Sequence, residues 1–436
     1  MDTGSTAWML ASTALVLLMV PGLALFYGGM VGARRVLNMV MMTFGAVAVV
    51  CFLWVLYGYS AAFGDSIGGA GILGNPLEAF GLGSLIAEDT EATIPAAVFV
   101  AFQMLFAGLT TALIAGAVAD RMKFGVWLIF AGIWSTLVYL PVAHWVFAFD
   151  SDAVTGGWIA NDLKAIDFAG GTAVHINAGA AALAAVLVLG KRTGWPHAVH
   201  KPHNLPLVTL GAGLLWFGWL GFNGGSALSS GNAAAVAVLN TIAAAAAAAL
   251  AWIVVERIKG GAMTSLGKAS GIVAGLVAIT PACGAVNPLG ALAIGVIAGA
   301  VCALAVNLKY RLGYDDSLDV VGVHLVGGIV GTLLIGIFAV DEAPNARSGL
   351  LDGGGLGLLG AQAGAAFAVL AYSFVVTFVI VKVMQMTVGL RVSSDVERDG
   401  IDTLHRESGY DFLGPGTSAE VGEPASTRTP DAPARV

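Results

Sequence analysis

The strongest constraint on this chain is a series of long apolar segments that follow one another along most of its length. A helix needs about 20 apolar residues to cross the hydrocarbon core of a bilayer. Eleven segments meet or approach that length: residues 8–31, 37–63, 94–118, 124–147, 171–190, 206–226, 233–256, 269–286, 289–307, 321–340 and 361–387. Charged residues make up only 11% of the chain, against about 25% in soluble domains. The sequence therefore predicts an all-α integral membrane protein with eleven transmembrane helices in lipid.

The distribution of Lys and Arg predicts the orientation of these helices. With eleven spans, alternate connections lie on the same side of the membrane. One set of connections holds twelve Lys and Arg residues, and the other holds only Lys164 and Arg347. The remaining six lie at or beyond the end of the last span. Because positive charge accumulates on the cytoplasmic side, we expect the N-terminus outside and the C-terminus inside.

Two stretches of the sequence resemble each other and indicate an internal repeat. Asp167 precedes His175 by eight residues, and Asp316 precedes His324 by eight. A similar correspondence links FYGG at 26–29 with FNGG at 222–225. The first histidine stretch opens helix 5 from outside, and the second opens helix 10 from inside. We therefore expect helices 1–5 and 6–10 to form inverted repeats with helix 11 extra, an arrangement that places a transport site near the midplane.

His175 and His324 are the main candidates for chemistry inside the membrane. Ionisable groups in an apolar span are costly and usually functional, although a single histidine can also serve only as a hydrogen-bonded packing group. Two at equivalent repeat positions favour function. A neutral imidazole donates from one ring nitrogen and accepts at the other, so two rings in contact can share a proton. A metal site is the rival interpretation, but two histidines without a third ligand make a weak one.

Asp167 and a set of aromatic residues are further candidates. Asp167, followed by Phe-Ala-Gly-Gly-Thr, is typical of a helix N-cap, and Asp316 or Asp319 could do the same for helix 10. Phe102 and Phe106 lie four apart on one face of helix 3. An aromatic face can attract a cation that enters an apolar pore, but each of these rings alone also fits ordinary packing.

The sequence predicts no metal site and no cofactor. Cys51, Cys283 and Cys302 lie in apolar segments without a CxxC motif. His197, His200 and His203 share one connection, but Pro196 and Pro202 in that connection prevent a helix that would align them. We interpret this segment as an ordinary polar loop.

Between residues 8 and 413 the chain resembles the ammonium transporter family (Amt/Mep/Rh). The motifs that carry the resemblance occur in this order: DFAGGTAVHINAG, KPHNLP, GWLGFNGGS, ITPACG, DVVGVHLVGGIVG and TVGLR. The resemblance implies ammonium uptake across the cytoplasmic membrane by a homotrimer with one pore in each subunit. The substrate would be ammonium or ammonia, with methylammonium as an analogue.

The same resemblance implies roles for individual residues. Phe102 and Ser226 match an outer recruitment site for ammonium, which Asp167 supports. Phe147 stands where the family often has a tryptophan in that site, and Phe offers a weaker face to a cation. Trp145, two residues away, should point elsewhere. The stacked rings Phe106 and Phe222 are implied to close the outer end of the pore. The pore itself is implied to be lined by the paired His175 and His324 and by Trp219.

Three regions follow from this interpretation: a transporter domain at 1–388, a regulatory tail at 389–413 and a disordered extension at 414–436. The resemblance implies a PII signal protein as a possible partner on the cytoplasmic side, and no nucleic acid. Ammonium would lose its proton, ammonia would pass the pore, and the histidines would relay the proton. A neutral ammonia or gas channel and an ammonium sensor are the alternatives. The chain has no nucleophile, metal cluster or cofactor motif that would predict an enzyme.

Overall fold

A computed structural model describes residues 1–87, 92–197, 201–345, 347–405 and 408–410. Within these ranges the regular elements are helices, with three isolated β-bridges between connections. The extension predicted at 414–436 lies outside the described residues, as does His200.

Eleven apolar helices form the body of the protein, and we number them α1 to α11. Their bounds are Thr3–Met30, Ala33–Phe63, Ala96–Val118, Phe124–Phe147, Gly171–Leu189, Leu205–Gly225, Asn232–Ile258, Ser265–Ile279, Pro288–Leu312, Val321–Phe338 and Gly357–Thr387. Ten are long and apolar enough to cross a membrane, and α8, with 15 residues, is shorter. The fold class predicted from the sequence, an all-helical membrane protein, is confirmed.

The boundary predicted for the eighth span was wrong. The sequence predicted residues 269–286, whereas α8 begins at Ser265 and ends at Ile279. Thr264 caps its start by accepting a hydrogen bond from the amide of Gly267 at 2.8 Å. Pro281 explains the early end, because it has no N–H to continue the helical hydrogen bonds and its ring clashes with the carbonyl of the residue four positions earlier. The chain then turns through residues 280–285 before α9.

Small residues let neighbouring helices touch through their backbones. On α6, a Cβ added to Gly211 would lie 2.3 Å from the amide nitrogen of Phe26 on α1. On α9, a Cβ added to Gly299 would lie 2.3 Å from the carbonyl oxygen of Ala248 on α7. Such contacts replace the hydrophobic driving force that helices lack in lipid. They explain how a chain with 60 glycines packs its helices closely.

The two histidine stretches fold alike, which supports the interpretation of an internal repeat. His175 lies in a π-helical turn at Gly171–Ile176 that opens α5. His324 lies in a π-helical turn at Val321–Leu325 that opens α10. Turns of this kind occur mostly as single insertions in helices and are frequent at functional sites. The two turns contact each other, so both repeats deliver their histidine to one place.

Candidate functional site

Three phenyl rings on α3 and α6 pack against one another. Phe106 on α3 and Phe222 on α6 stack with ring centroids 3.9 Å apart and planes 17° apart. Phe102, one helical turn before Phe106, packs against it at 4.8 Å. All three rings are buried. We call Phe106 and Phe222 the phenyl gate, and the end of the bundle that carries them the gate side.

Ser226 and Phe147 lie near this gate in different ways. Ser226 follows the last residue of α6, is half-buried, and donates its hydroxyl hydrogen to the carbonyl oxygen of Phe222 at 2.8 Å. Phe147 ends α4, and its ring lies 3.6 Å from the place of a Cβ added to Gly170. The structure thus joins Ser226 to the gate and places Phe147 beside the loop at Gly170. Trp145 points elsewhere, as expected, since its indole donates to the carbonyl oxygen of Ile72 at 2.8 Å.

Asp167 holds the backbone at the start of α5. Its Oδ1 accepts from the amides of Gly170 at 2.8 Å and Gly171 at 2.6 Å. Its Oδ2 accepts from the amide of Thr172 at 2.8 Å and from the Thr172 hydroxyl. Burial raises the pKa of this carboxyl above its ordinary value, and these hydrogen bonds act in the opposite direction. Asp167 is therefore a cap that ties up several otherwise unpaired amides.

Asp316 and Asp319 differ in their roles at the start of α10. Asp316 is buried, and its Oδ2 accepts from the amide of Val321 at 2.7 Å. Asp319 instead pairs with Lys309, with Nζ to Oδ1 at 2.6 Å. Of the two carboxylates considered from the sequence, Asp316 is thus the capping equivalent of Asp167.

His175 and His324 meet at the centre of the bundle. Their Nδ1 atoms are 3.2 Å apart, and their ring planes differ by 26°. Both rings are buried. Since one nitrogen must donate and the other accept, the pair holds a single proton between the two rings. Trp219 stacks on the other side of His175, with centroids 5.5 Å apart.

A narrow cavity of about 20 Å³ connects these groups, enough for a water-sized molecule. Its walls are mostly apolar, with the two histidines, Trp219 and Tyr27 as the residues that carry polar atoms: Met19, Leu23, Phe26, Tyr27, Leu109, Leu113, Val174, His175, Leu215, Trp219, Phe222, Val273 and His324. Phe222 of the phenyl gate is part of this lining. The cavity suits a small neutral molecule better than an ion, because its lining offers few groups to replace a hydration shell.

Reasoning from the sequence missed several residues of this site. Tyr27 lines the cavity and donates its hydroxyl hydrogen to the carbonyl oxygen of Leu113 at 3.0 Å. Thr280 accepts the indole N–H of Trp219 at 2.8 Å. Tyr27 lies in the FYGG stretch and Thr280 in the ITPACG motif. The first stretch indicated an internal repeat and the second a family resemblance, and neither pointed to a pore residue. Neither has a sequence pattern that marks it as a pore residue.

At the other end of the bundle, buried charges join three connections to one another. Arg121, fully buried, donates to the carbonyl oxygen of Asp315 at 2.6 Å and to the Ser317 hydroxyl at 2.7 Å. Arg192 pairs with Asp315 at 2.8 Å and with Asp120 at 3.3 Å. We call this end the tail side.

The segment after α11 packs against the same connections. The amide of Val392 donates to the carbonyl oxygen of Arg121 at 3.0 Å. A short helix, α12, spans Ser394–Asp399, and Glu397 within it accepts from the amide of Thr193 at 2.7 Å. Asp402 accepts from the amide of Asn38, near the start of α2, at 2.8 Å. His203 bonds to the Tyr410 hydroxyl at 2.8 Å.

Comparison with known proteins decides the family. The family model described as Ammonium Transporter Family matches residues 7–410. This chain belongs to the ammonium transporter family. It is 58% identical to an ammonium transporter of Mycobacterium tuberculosis, over 94% of this chain and 91% of that protein.

Solved structures of ammonium transporter family members share the fold. The crystal structure of Saccharomyces cerevisiae Mep2 matches with a TM-score of 0.82 and 36% identity, covering 91% of this chain and 88% of that one. A structure titled Sensor Amt Protein matches with a TM-score of 0.84 and 28% identity, covering 93% of this chain and 98% of that one. The chain is thus a multi-pass membrane protein of a family that transports ammonium across membranes.

Proposed function

We propose that this ammonium transporter strips the proton from ammonium at the phenyl gate and conducts ammonia through the cavity. The proton crosses to the same side along the paired histidines. The net result is uptake of one positive charge with each ammonia. The observation that carries the proposal is the 3.2 Å contact between the Nδ1 atoms of His175 and His324, beside a cavity whose lining also includes Phe222 of the phenyl gate.

Recruitment of ammonium is assigned to Phe102, Phe147 and Ser226, with Asp167 supporting the loop beside them. The Ser226 hydroxyl already donates its hydrogen to Phe222, so its oxygen keeps lone pairs for an N–H donor. An aromatic face contributes about 0.5–2 kcal/mol to binding a cation. The half-buried positions of Ser226 and Phe147 leave them reachable from the gate side.

Deprotonation follows from the size and lining of the cavity. A bare cation at the bilayer centre is unstable by several kcal/mol or more, whereas ammonia is neutral and water-sized. The gate rings and the apolar wall therefore favour passage of ammonia alone. Ammonium must leave its proton near Phe106 and Phe222 before nitrogen can proceed.

The histidine pair offers that proton a separate route. With one shared hydrogen between the two Nδ1 atoms, a proton that arrives at one ring can push the shared one across to the other. Each transfer leaves both rings in the opposite tautomer, and both must change tautomer again before a second proton can follow the same route. Trp219, stacked on His175, keeps the first ring in place.

Two alternatives have their own support. The apolar lining of the cavity fits a neutral ammonia channel, in which the proton stays outside and no charge moves. The likeness to a protein titled Sensor Amt Protein makes ammonium sensing the second alternative. Electrogenic transport gives a current, a neutral ammonia channel changes the internal pH without a current, and a sensor that does not transport gives neither.

Orientation and assembly belong to the same proposal. The twelve Lys and Arg residues in alternate connections support a tail side in the cytoplasm and a gate side outside. We propose a homotrimer in the cytoplasmic membrane, with residues 389–413 as a regulatory tail that a PII signal protein can reach.

The test is an electrical recording on the purified protein in liposomes. On a solid-supported membrane, an ammonium jump should give a current that saturates with ammonium and is absent from empty liposomes. Methylammonium should compete with it, which distinguishes a cation site from a channel for another small solute. A current indifferent to ammonium concentration, or no current at all, contradicts electrogenic transport.

A further inference from the structure

One threonine outside the pore lining controls a ring that touches both parts of the site. Trp219 stacks on His175 at 5.5 Å and packs against Phe222 at 5.6 Å. Its ring is therefore the shared neighbour of the phenyl gate and the histidine pair. A change in the plane of this indole would therefore act on both Phe222 and His175.

The plane of the indole is fixed from behind by Thr280. Trp219 donates its Nε1 hydrogen to Thr280 Oγ1 at 2.8 Å. The Thr280 hydroxyl donates its own single hydrogen to the carbonyl oxygen of Leu276 at 2.7 Å. Because that hydrogen is committed, the hydroxyl can only accept from Trp219, and its orientation is fixed. Thr280 and Trp219 are both buried.

The position of Thr280 results from the early end of α8. Ile279 is the last residue of the helix, and Pro281 follows Thr280 directly. Thr280 can still bond back to Leu276 in the last turn, which presents its oxygen toward α6. The proline that shortens α8 thus also sets the place of the acceptor for Trp219.

We propose that Thr280 is a positioning residue of the pore, which acts through Trp219 to hold Phe222 and His175 in register. Without the acceptor, a buried indole N–H has no partner in this arrangement, and the ring gains by turning toward another one. The gate and the histidine pair then lose their common support. The inference rests on the proposed function for the roles of Phe222 and His175.

The test compares Thr280→Val, which removes the acceptor with little change of shape, with Thr280→Ser, which keeps it. Internal alkalinisation of liposomes after an ammonium jump measures ammonia entry whether or not charge moves with it. We expect about a tenfold slower entry for Thr280→Val, the factor typical of an unpaired buried donor, and recovery of most of the rate in Thr280→Ser.

A second background shows whether the effect passes through the indole. In Trp219→Phe, which has no N–H, adding Thr280→Val should cause no further loss. A matched control is Thr377→Val, since Thr377 accepts from the Trp134 indole at 2.9 Å away from the cavity lining. It should lower thermal stability by a similar amount and leave ammonia entry unchanged.

Three results overturn the proposal. They are a wild-type rate in well-incorporated Thr280→Val, an equal loss in Thr280→Ser, and a tenfold loss that persists in Trp219→Phe. If Thr280→Val does not insert into liposomes, the deciding comparison is between Trp219→Phe alone and Trp219→Phe combined with Thr280→Ser. A slower ammonia entry in the double variant contradicts action through the indole. Failure of electrogenic transport is a separate outcome, seen as absent current in the wild type while alkalinisation remains.

Discussion

Substitution of Gly179 by Ala should separate the two histidines without touching either. Gly179 lies on α5, one turn after His175, against the backbone of Leu325 on α10. A Cβ there would lie 2.4 Å from the Leu325 amide nitrogen, whereas ordinary contacts begin at 3.4 Å. The obstacle is backbone, so the helices must move apart by about 1 Å. The Nδ1 atoms, now 3.2 Å apart, would reach about 4 Å, beyond a hydrogen bond.

The consequences can be measured in function and in stability. We expect the ammonium current to fall at least about tenfold, since the shared proton loses its path, and the free energy of unfolding to fall by about 1–3 kcal/mol from overpacking. Gly213→Ala is the matched control, because a Cβ there meets nothing within 4 Å among the described residues. An undiminished current in correctly incorporated Gly179→Ala would refute the reasoning.

Three further predictions concern other parts of the molecule. Phe147→Trp should lower the apparent KM for ammonium about two- to fivefold at an unchanged maximal current, because indole binds cations better than phenyl; an unchanged KM in current recordings would count against Phe147 as a recruitment residue. Arg121→Gln should lower the free energy of unfolding by about 3 kcal/mol or more, since buried acceptors lose a charged donor. The control Arg311→Gln, at an exposed position, should change thermal unfolding little. Equal effects of the two substitutions would contradict a structural role for Arg121. Burial raises the pKa of Asp316 from 3.8 to about 6, so the folded protein holds this proton more tightly than the unfolded chain. Wild-type stability should therefore fall as the pH rises through about 4 to 6, a fall that Asp316→Asn should lack in thermal unfolding scans; identical pH slopes would exclude this titration.

The sequence predicted those features of the fold that depend on hydropathy and charge. Long apolar runs mark helices in lipid because every backbone group must bond within its own segment. A helix lies at each of the eleven predicted segments, and ten of these helices are long and apolar enough to cross a membrane. Boundaries are harder to predict. The end of α8 at Ile279 depends on Pro281 rather than on apolar character, since the apolar run continues past the break. Hydropathy alone therefore extended this helix too far.

The candidate site was predictable to the extent that its residues carry unusual chemistry for their surroundings. His175 and His324 stand out in apolar spans, and the structure brings them together. Thr280 and Tyr27 do not stand out, because a threonine or a tyrosine in a membrane helix is ordinary. Their importance comes from which groups the packing places beside them. That information is in the contacts between helices distant in sequence, which local patterns do not contain.

The most direct test of proton transfer through the histidine pair is to record current and internal pH together in liposomes that contain His175→Leu or His324→Leu. Proton relay predicts that each single variant loses the ammonium current, while internal alkalinisation by ammonia persists. If both variants keep the full wild-type current, the proton does not travel through His175 and His324, and the central claim is wrong.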